Sequence, residues 1–292
     1  MERDGKSIIV AGNHREDWEY APADTELFRV DPSTGESVAL TQREGPDYAP
    51  TLSPDGRTLA YLGYDDDGRS YVSAAVYVMD LGSGKSRRLS PPMPGSVDTV
   101  RWSRDGKRMY VMYDVEGDTR IAELDLEGRL TDVIDGVGGL DLSRPYSAGA
   151  FEVGGDLIAF TQGTPTRPAD LAVRRGNAKP LHLTHLNDDL LGHRDIDAPE
   201  EIWFDSPADG KRIQAWVIKP PGFDANRRYP LILEIHGGPH TNYGPRFAAE
   251  LQLFAAAGYV VVYANPRGST SYGEGFANLI DKQFPSQDYD DL

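Results

Sequence analysis

Leu231-Ile232-Leu233-Glu234-Ile235-His236-Gly237-Gly238-Pro239-His240 is the stretch whose reading decides the fold of the second part of this chain. So apolar a run reads as a strand buried on both faces, and the Gly-Gly-Pro that follows ends it in a tight loop. Further on, Tyr259-Val260-Val261-Val262-Tyr263-Ala264 makes a second such strand, followed by Asn265-Pro266-Arg267-Gly268-Ser269-Thr270-Ser271-Tyr272-Gly273. Between them Phe247, Leu251 and Phe254 recur at i, i+4 and i+7, which predicts a helix with one apolar face, and Gly258 sits where a C-terminal cap belongs. Glu274–Ile280 predicts another helix. Strand, helix, strand with buried strands means an α/β layer, and such layers place their chemistry in loops at the strands' carboxyl ends.

Working back from that layer, Glu201–Asp205 and Arg212–Ile218 read as two strands across a turn at 206–211. Before about residue 199 the pattern is different. Ser53-Pro54-Asp55-Gly56-Arg57 and Ser103-Arg104-Asp105-Gly106-Lys107 share a core with Glu2-Arg3-Asp4-Gly5-Lys6. The Asp-Gly pairs stand at positions 4, 55 and 105, so 51 and then 50 residues apart, and Gly154-Gly155-Asp156 is a degenerate fourth copy. Glycine takes φ > 0 freely and aspartate bonds its own backbone, so each pair closes a hairpin. Short β-rich runs follow each copy, as in Thr58–Leu62 and Met109–Tyr113. Several short strands repeating at about fifty residues predict β-propeller blades, since a β-sandwich does not repeat one pattern at a fixed period. The first copy has only Met1 where the second has Leu52, so its blade lacks an opening strand. About four blades is also few for a closed ring. The expectation is the C-terminal part of a longer propeller, residues 1–198, followed by residues 199–292 as the first half of an α/β domain.

The whole chain has 292 residues, 39% of them hydrophobic and 10% aromatic, which suits a globular protein. Its formal charge of -16 argues against a nucleic-acid partner. With no cysteine there is neither a disulfide framework nor a thiolate nucleophile. No run reads as a membrane span or signal segment, so a cytoplasmic location with no membrane partner is expected.

The order of motifs, from Glu-Ile-Trp-Phe at 201–204 through Lys-Pro-Pro-Gly-Phe at 219–223 and Leu-Glu-Ile-His-Gly-Gly-Pro-His to Asn-Pro-Arg-Gly-Ser-x-x-Tyr-Gly and Asp-Tyr-x-Asp-Leu, resembles the prolyl oligopeptidase family. Within it the acylaminoacyl-peptidase-like branch is most similar. The resemblance implies a propeller capping an α/β-hydrolase domain whose Ser-Asp-His triad cleaves short peptides or releases acylated residues or dipeptides from N-termini. It implies that Gly237 and Gly238 form the oxyanion-hole loop, with the Gly238 N–H as donor. It places His236, Asn265, Arg267 and Tyr272 beside the active site, with Arg267 bracing the loop against Asp288 or Asp291. No cofactor is implied, and the partners expected are a short peptide substrate, a second copy of the chain, or the remainder of a longer protein. The family's nucleophile sits in Gly-x-Ser-x-Gly, which occurs nowhere in these residues. This chain by itself is therefore expected to lack the triad and to be inactive. A carboxylesterase or lipase on the same fold is the alternative within hydrolases, disfavoured by the repeats and by Pro239. A non-catalytic propeller binding module is the alternative outside them.

Plainer readings bound the remaining features. His236 reads as a packed histidine at a strand end, not a general base. His182 and His185 alternate along a strand, and with His193 near they still lack the carboxylate or cysteine that completes a zinc set. Asp65-Asp66-Asp67-Gly68 has neither the spacing nor the terminal glutamate of a calcium loop and reads as a solvated hairpin tip. Gly136-Val137-Gly138-Gly139 opens no helix, so it is no nucleotide loop. Arg267 reads as a structural ion pair, and Trp203 and Trp216 as packing between the first strands and the neighbouring helix.

Overall fold

The computed structural model describes residues 5–292 and divides into two compact units. The first comprises Met1–Tyr113, Ile121–Val133 and Val153–Gly155; the second comprises Asp114–Arg120, Ile134–Glu152 and Asp156–Leu292.

The repeat seen in the sequence is a repeat of meander sheets. Strands β1 (Ile8–Gly12), β2 (Glu26–Val30) and β3 (Ser37–Ala39) form a three-stranded sheet in that order. Strands β4 (Asp47–Leu52), β5 (Thr58–Gly63), β6 (Ala75–Asp80) and β7 (Ser86–Arg88) form a four-stranded one. A third sheet runs through β8 (Val97–Trp102), β9 (Arg108–Val115), β10 (Asp118–Asp125) and β11 (Leu130–Ile134), and a fourth through β12 (Phe151–Gly154), β13 (Leu157–Thr164), β14 (Arg167–Arg175) and β15 (Leu181–His182). A short helix α1 (Asp188–Leu191) follows.

The Ser-x-Asp-Gly turns build these sheets in the same way twice. Gly56 and Gly106 have φ of 73° and 68°. The Ser53 hydroxyl donates to Asp55 and accepts from the Thr58 N–H; the Ser103 hydroxyl donates to Asp105 and accepts from the Arg108 N–H. Each aspartate also accepts the N–H two residues on, at Arg57 and Lys107, which is the local bond that favours a turn. The first copy of the motif begins at residues 2–4, outside the described residues. Within the first unit β4 packs on β1 and β2, and β8 packs on β4, β5 and β6. The Trp102 indole N–H donates to the Thr51 carbonyl of the preceding repeat, tying neighbouring sheets together. Leu27, Leu59, Tyr61 and Met79 form the core between the first two sheets, and each such side chain contributes about 1.5–3 kcal/mol by leaving water.

In the second unit β16 (Glu200–Asp205) and β17 (Arg212–Ile218) form the expected hairpin across the 206–211 turn. They join β18 (Leu231–Ile235) and β19 (Val260–Asn265) in a mixed sheet of order β16-β17-β19-β18, with β18 and β19 parallel. Helix α2 (Ala249–Ala256) connects the parallel pair, and Gly258 just beyond it has φ of 96°. Trp216, Tyr243, Leu251, Ala255, Val261 and Tyr263 form the core between this helix and the sheet. The second predicted helix is split into α3 (Glu274–Ala277) and a 3-10 turn over Asn278–Ile280. Residues 287–291 are turns, with the Tyr289 and Asp290 N–H groups bonded three residues back.

Two expectations are corrected. Strand β18 is not buried on both faces: Leu231, Leu233 and Ile235 are 62%, 38% and 50% exposed. The physical reason is position, because β18 is the last strand in the sheet order and only one of its faces meets packed side chains. Trp216 packs as expected, fully buried and stacked on Tyr263. Trp203 does not: it shares that face of the sheet but meets Tyr272 edge-on instead of the helix, with its N–H on Glu201. No helix among the described residues is long and apolar enough to cross a membrane.

Candidate active site

The site is built from the two loops that leave the carboxyl ends of the parallel strands. Residues 236–246 follow β18 and residues 266–273 follow β19, and parallel pairing puts both on one edge of the sheet. Hydrogen bonds then sew them together rung by rung. The His236 Nε2 lies 3.0 Å from the Ser269 hydroxyl, and His240 Nδ1 donates to the Gly268 carbonyl at 3.0 Å. The Thr270 N–H donates to the Thr241 carbonyl, and its hydroxyl donates to Asn242 Oδ1. Asn265 accepts the Tyr243 N–H at 2.8 Å and returns a bond to the Tyr243 carbonyl at 2.9 Å. Its amide also donates to the Tyr272 hydroxyl at 2.6 Å, which passes its own proton to Gln214. Burial pushes the Tyr272 hydroxyl up from its ordinary value, so it stays a proton donor.

At the mouth of this frame stand Gly237 and Gly238, both exposed. Among the described residues neither glycine N–H is taken by a hydrogen-bond acceptor. Gly238 has φ of 139°, and a Cβ placed on it would lie 3.0 Å from the Thr241 methyl and 3.1 Å from the His240 nitrogen. Gly237 faces open space. The loop therefore needs glycine at 238 for its backbone path and offers unspent N–H donors to solvent.

His236 is 7% exposed, with Nδ1 3.1 Å from the Gly237 carbonyl and its ring edge-on to Tyr243. A carbonyl can only accept, so that bond puts the proton on Nδ1 and leaves Nε2 to accept from Ser269. Burial holds the imidazole below its ordinary value, hence neutral. Ser269 has one proton, and the Pro266 carbonyl lies 2.7 Å from the same hydroxyl, competing for it.

Arg267 turns away from the glycines. Its backbone N–H and Nε both donate to Asp291 at 2.8 Å, and its two terminal nitrogens reach Asp291, Asp209, Ser206 and Gln287. All its donors are engaged within the protein. Asp291 is the acidic partner; the Asp288 carboxylate instead accepts the Ser286 N–H. Lys211 and Arg267 hold the Asp209 carboxyl down at about 2.

Sequence reasoning missed a second support. The turn at Glu116-Gly117, between β9 and β10, donates its two N–H groups to the Ser271 carbonyl and hydroxyl. Arg246, 7% exposed, donates to the Gly117 carbonyl at 2.8 Å and to the Thr119 hydroxyl, with Asp114 4.0 Å away. A Cβ on Gly117 would lie 2.8 Å from the Tyr243 carbonyl and 2.9 Å from the Trp216 ring. Partners more than a hundred positions apart leave no local signal in the sequence. His182 lies on β15, exposed, and His185 and His193 lie in the irregular chain around α1. Among the described residues no group of three His, Asp or Glu side chains is placed to hold a metal.

Residues 245–292, which carry α2, β19 and the 266–273 loop, match the prolyl oligopeptidase family. Over that segment the chain is similar to that family. Relatives within and around it include the uncharacterized peptidase YuxL of Bacillus subtilis, 34% identical over 193 residues, covering 65% of this chain and 28% of that one. Dipeptidyl-peptidase 5 of Porphyromonas gingivalis is 26% identical over 294 residues, covering 99% and 42%. The acylaminoacyl peptidase of Pyrococcus horikoshii shares the fold, with a TM-score of 0.80 at 24% identity over 98% of this chain and 43% of that one. The chain thus spans less than half the length of each of these three proteins.

Proposed function

We propose that this chain is part of a serine peptidase that cleaves short peptides, or acylated or dipeptidyl N-termini, by acyl transfer. In this reading residues 1–198 are propeller blades and residues 199–292 the first half of an α/β-hydrolase domain. The Gly238 N–H, with Gly237 beside it, meets the oxyanion that develops when a serine attacks the scissile carbonyl. The observation that carries the reading is the Gly237-Gly238 turn: unspent backbone donors, held rigid by two bonded loops at the carboxyl ends of parallel strands. Donors fixed before reaction stabilise developing charge without reorganising, and one such donor is worth about 3–4 kcal/mol. His236, Asn265 and Tyr272 position that turn, and Arg267 fixes the following loop from behind. The nucleophile, its histidine and its aspartate come from outside these residues, because no Gly-x-Ser-x-Gly occurs within them.

The test starts with the intact mass of the protein from its source. A mass well above 32.1 kDa goes with labelling by a fluorophosphonate probe and release of p-nitroaniline from acyl-alanyl and dipeptidyl anilides. In that enzyme Gly238→Ala keeps the N–H but displaces it, because alanine is strained at φ of 139°; kcat falls, by at most the about 10²–10³-fold of a lost donor. Turnover of p-nitrophenyl esters with no anilide hydrolysis would instead place the protein among esterases. A protein that neither labels nor hydrolyses would place it among binding modules.

A further inference from the structure

Three consecutive residues of the irregular chain between β11 and β12 grip the glycine loop from outside, all within the second unit. The loop leaves β18 just past Glu234 and reaches α2 through Tyr243 and Gly244. At its entrance, Arg144 Nε lies 2.9 Å from Glu234 Oε1. At its exit, the Pro145 carbonyl accepts the Gly244 N–H at 2.9 Å, and Tyr146 forms a backbone bridge with Tyr243. Beyond the exit, a terminal nitrogen of Arg144 pairs with Glu250, and the Leu142 carbonyl accepts the Ala249 N–H at 2.8 Å. That carbonyl takes up an N–H at the start of α2, whose N-cap, Ala248, supplies no side-chain bond.

The contacts are linked through one carboxylate. Glu234 stands on the edge strand β18, yet its side chain is only 15% exposed, on the face that packs against α2. A carboxylate in that position needs a cation, because a largely buried charge left unpaired is costly. The Tyr243 hydroxyl donates to the same Oε1 at 3.1 Å, so one oxygen ties both ends of the loop to Arg144. Tyr243 carries the constraint inward: fully buried, it is bonded through both backbone groups to Asn265 and lies edge-on to His236. The grip is itself preformed, since Asp141 Oδ1 accepts the Ser143 and Arg144 N–H groups in a local turn.

We propose that residues 141–146 are a strap that holds the 236–246 loop in one conformation, with Arg144 as its positioning residue. On the peptidase reading, on which this purpose rests, the strap keeps the Gly237 and Gly238 N–H groups in place for the oxyanion. The guanidinium matters for its fork, with Nε on Glu234 and a terminal nitrogen on Glu250. A lysine ammonium meets that geometry only in part.

Hydrogen exchange of single amides, read by NMR on the 292-residue chain, tests the strap without any substrate. In Arg144→Gln the Gly244 and Ala249 amides, bonded to the strap, should exchange at least tenfold faster. So should the Tyr243 and Thr270 amides, bonded within the site, while the amides that pair β17 with β19 keep their wild-type rates. Arg144→Lys should recover part of the protection. Unchanged exchange at Tyr243 and Thr270 overturns the proposal, and so does acceleration shared equally by β17 and β19, which is global destabilisation. In the longer enzyme of the proposed reading, Arg144→Gln should lower kcat for an acyl-alanyl anilide at least tenfold with KM within twofold, and Arg144→Lys should restore part of it. Equal kcat in variant and wild type overturns the positioning role. A wild-type protein that hydrolyses no anilide, but whose loop amides still answer to Arg144, would sink the peptidase reading and leave the strap standing.

Discussion

Gly237 and Gly238 are neighbours with opposite requirements, and the difference is readable atom by atom. Gly237 faces open space, whereas Gly238 combines φ of 139° with close approach to Thr241 and His240. Gly237→Ala should therefore change the unfolding free energy by less than about 0.5 kcal/mol, and Gly238→Ala should cost about 1–3 kcal/mol, both from urea titrations. Equal effects would mean that the loop does not depend on the left-handed backbone at 238. Asp47 makes a second residue-level case, through pH. Burial pushes its carboxyl up to about 6, with Arg43 opposing the shift and Glu26 adding to it. A folded value above the unfolded one means that the native state holds a proton that the unfolded chain has released. Wild type should thus lose about 2–3 kcal/mol relative to Asp47→Asn as pH rises from about 4 to about 6, and the difference should be flat above that. Melting temperatures of both proteins from pH 4 to pH 8 check the sign. At this scale the sequence was partly legible: Arg267 and an acidic partner could be read, because both lie in one motif-bearing segment. Asp209 and Ser206 could not, since only the folded hairpin of β16 and β17 carries them to the guanidinium.

Elements were legible where a local pattern dictates them. The Asp-Gly turns, the 206–211 hairpin and the C-terminal cap of α2 each rest on residues within five positions of one another, and each stands where the pattern put it. Burial of β18 was misread because composition cannot tell a central strand from an edge strand. Its side chains at 231, 233 and 235 form an exposed apolar row beside the unpaired backbone of an edge, a template for another chain. The isolated 292-residue chain should therefore self-associate with concentration in sedimentation velocity. Leu231→Lys with Ile235→Lys should shift it toward monomer while altering stability by less than about 0.5 kcal/mol, because both positions are already half or more exposed. A wild-type chain that stays monodisperse across the concentration range would show that the row is tolerated in water.

Across the whole molecule the decisive question is whether this chain carries out chemistry by itself. One pair resembles a nucleophile with its base: the Ser269 hydroxyl and His236 Nε2, 3.0 Å apart. Three facts deny it that role. Ser269 is 1% exposed, so no peptide carbonyl can approach its oxygen. Its proton has the Pro266 carbonyl as a competing acceptor at 2.7 Å. His236 spends Nδ1 on the Gly237 carbonyl, where a triad would place a carboxylate to stabilise the imidazolium. In the proposed reading the frame holds oxyanion donors without a nucleophile, and acyl transfer needs both. The 292-residue chain should thus show no covalent adduct with a fluorophosphonate probe by intact mass, and no anilide hydrolysis above the Ser269→Ala variant. An adduct mapped to Ser269 would overturn both the burial argument and the assignment of the nucleophile elsewhere. An adduct on any other serine would leave the burial argument standing and move the search for the nucleophile into this chain.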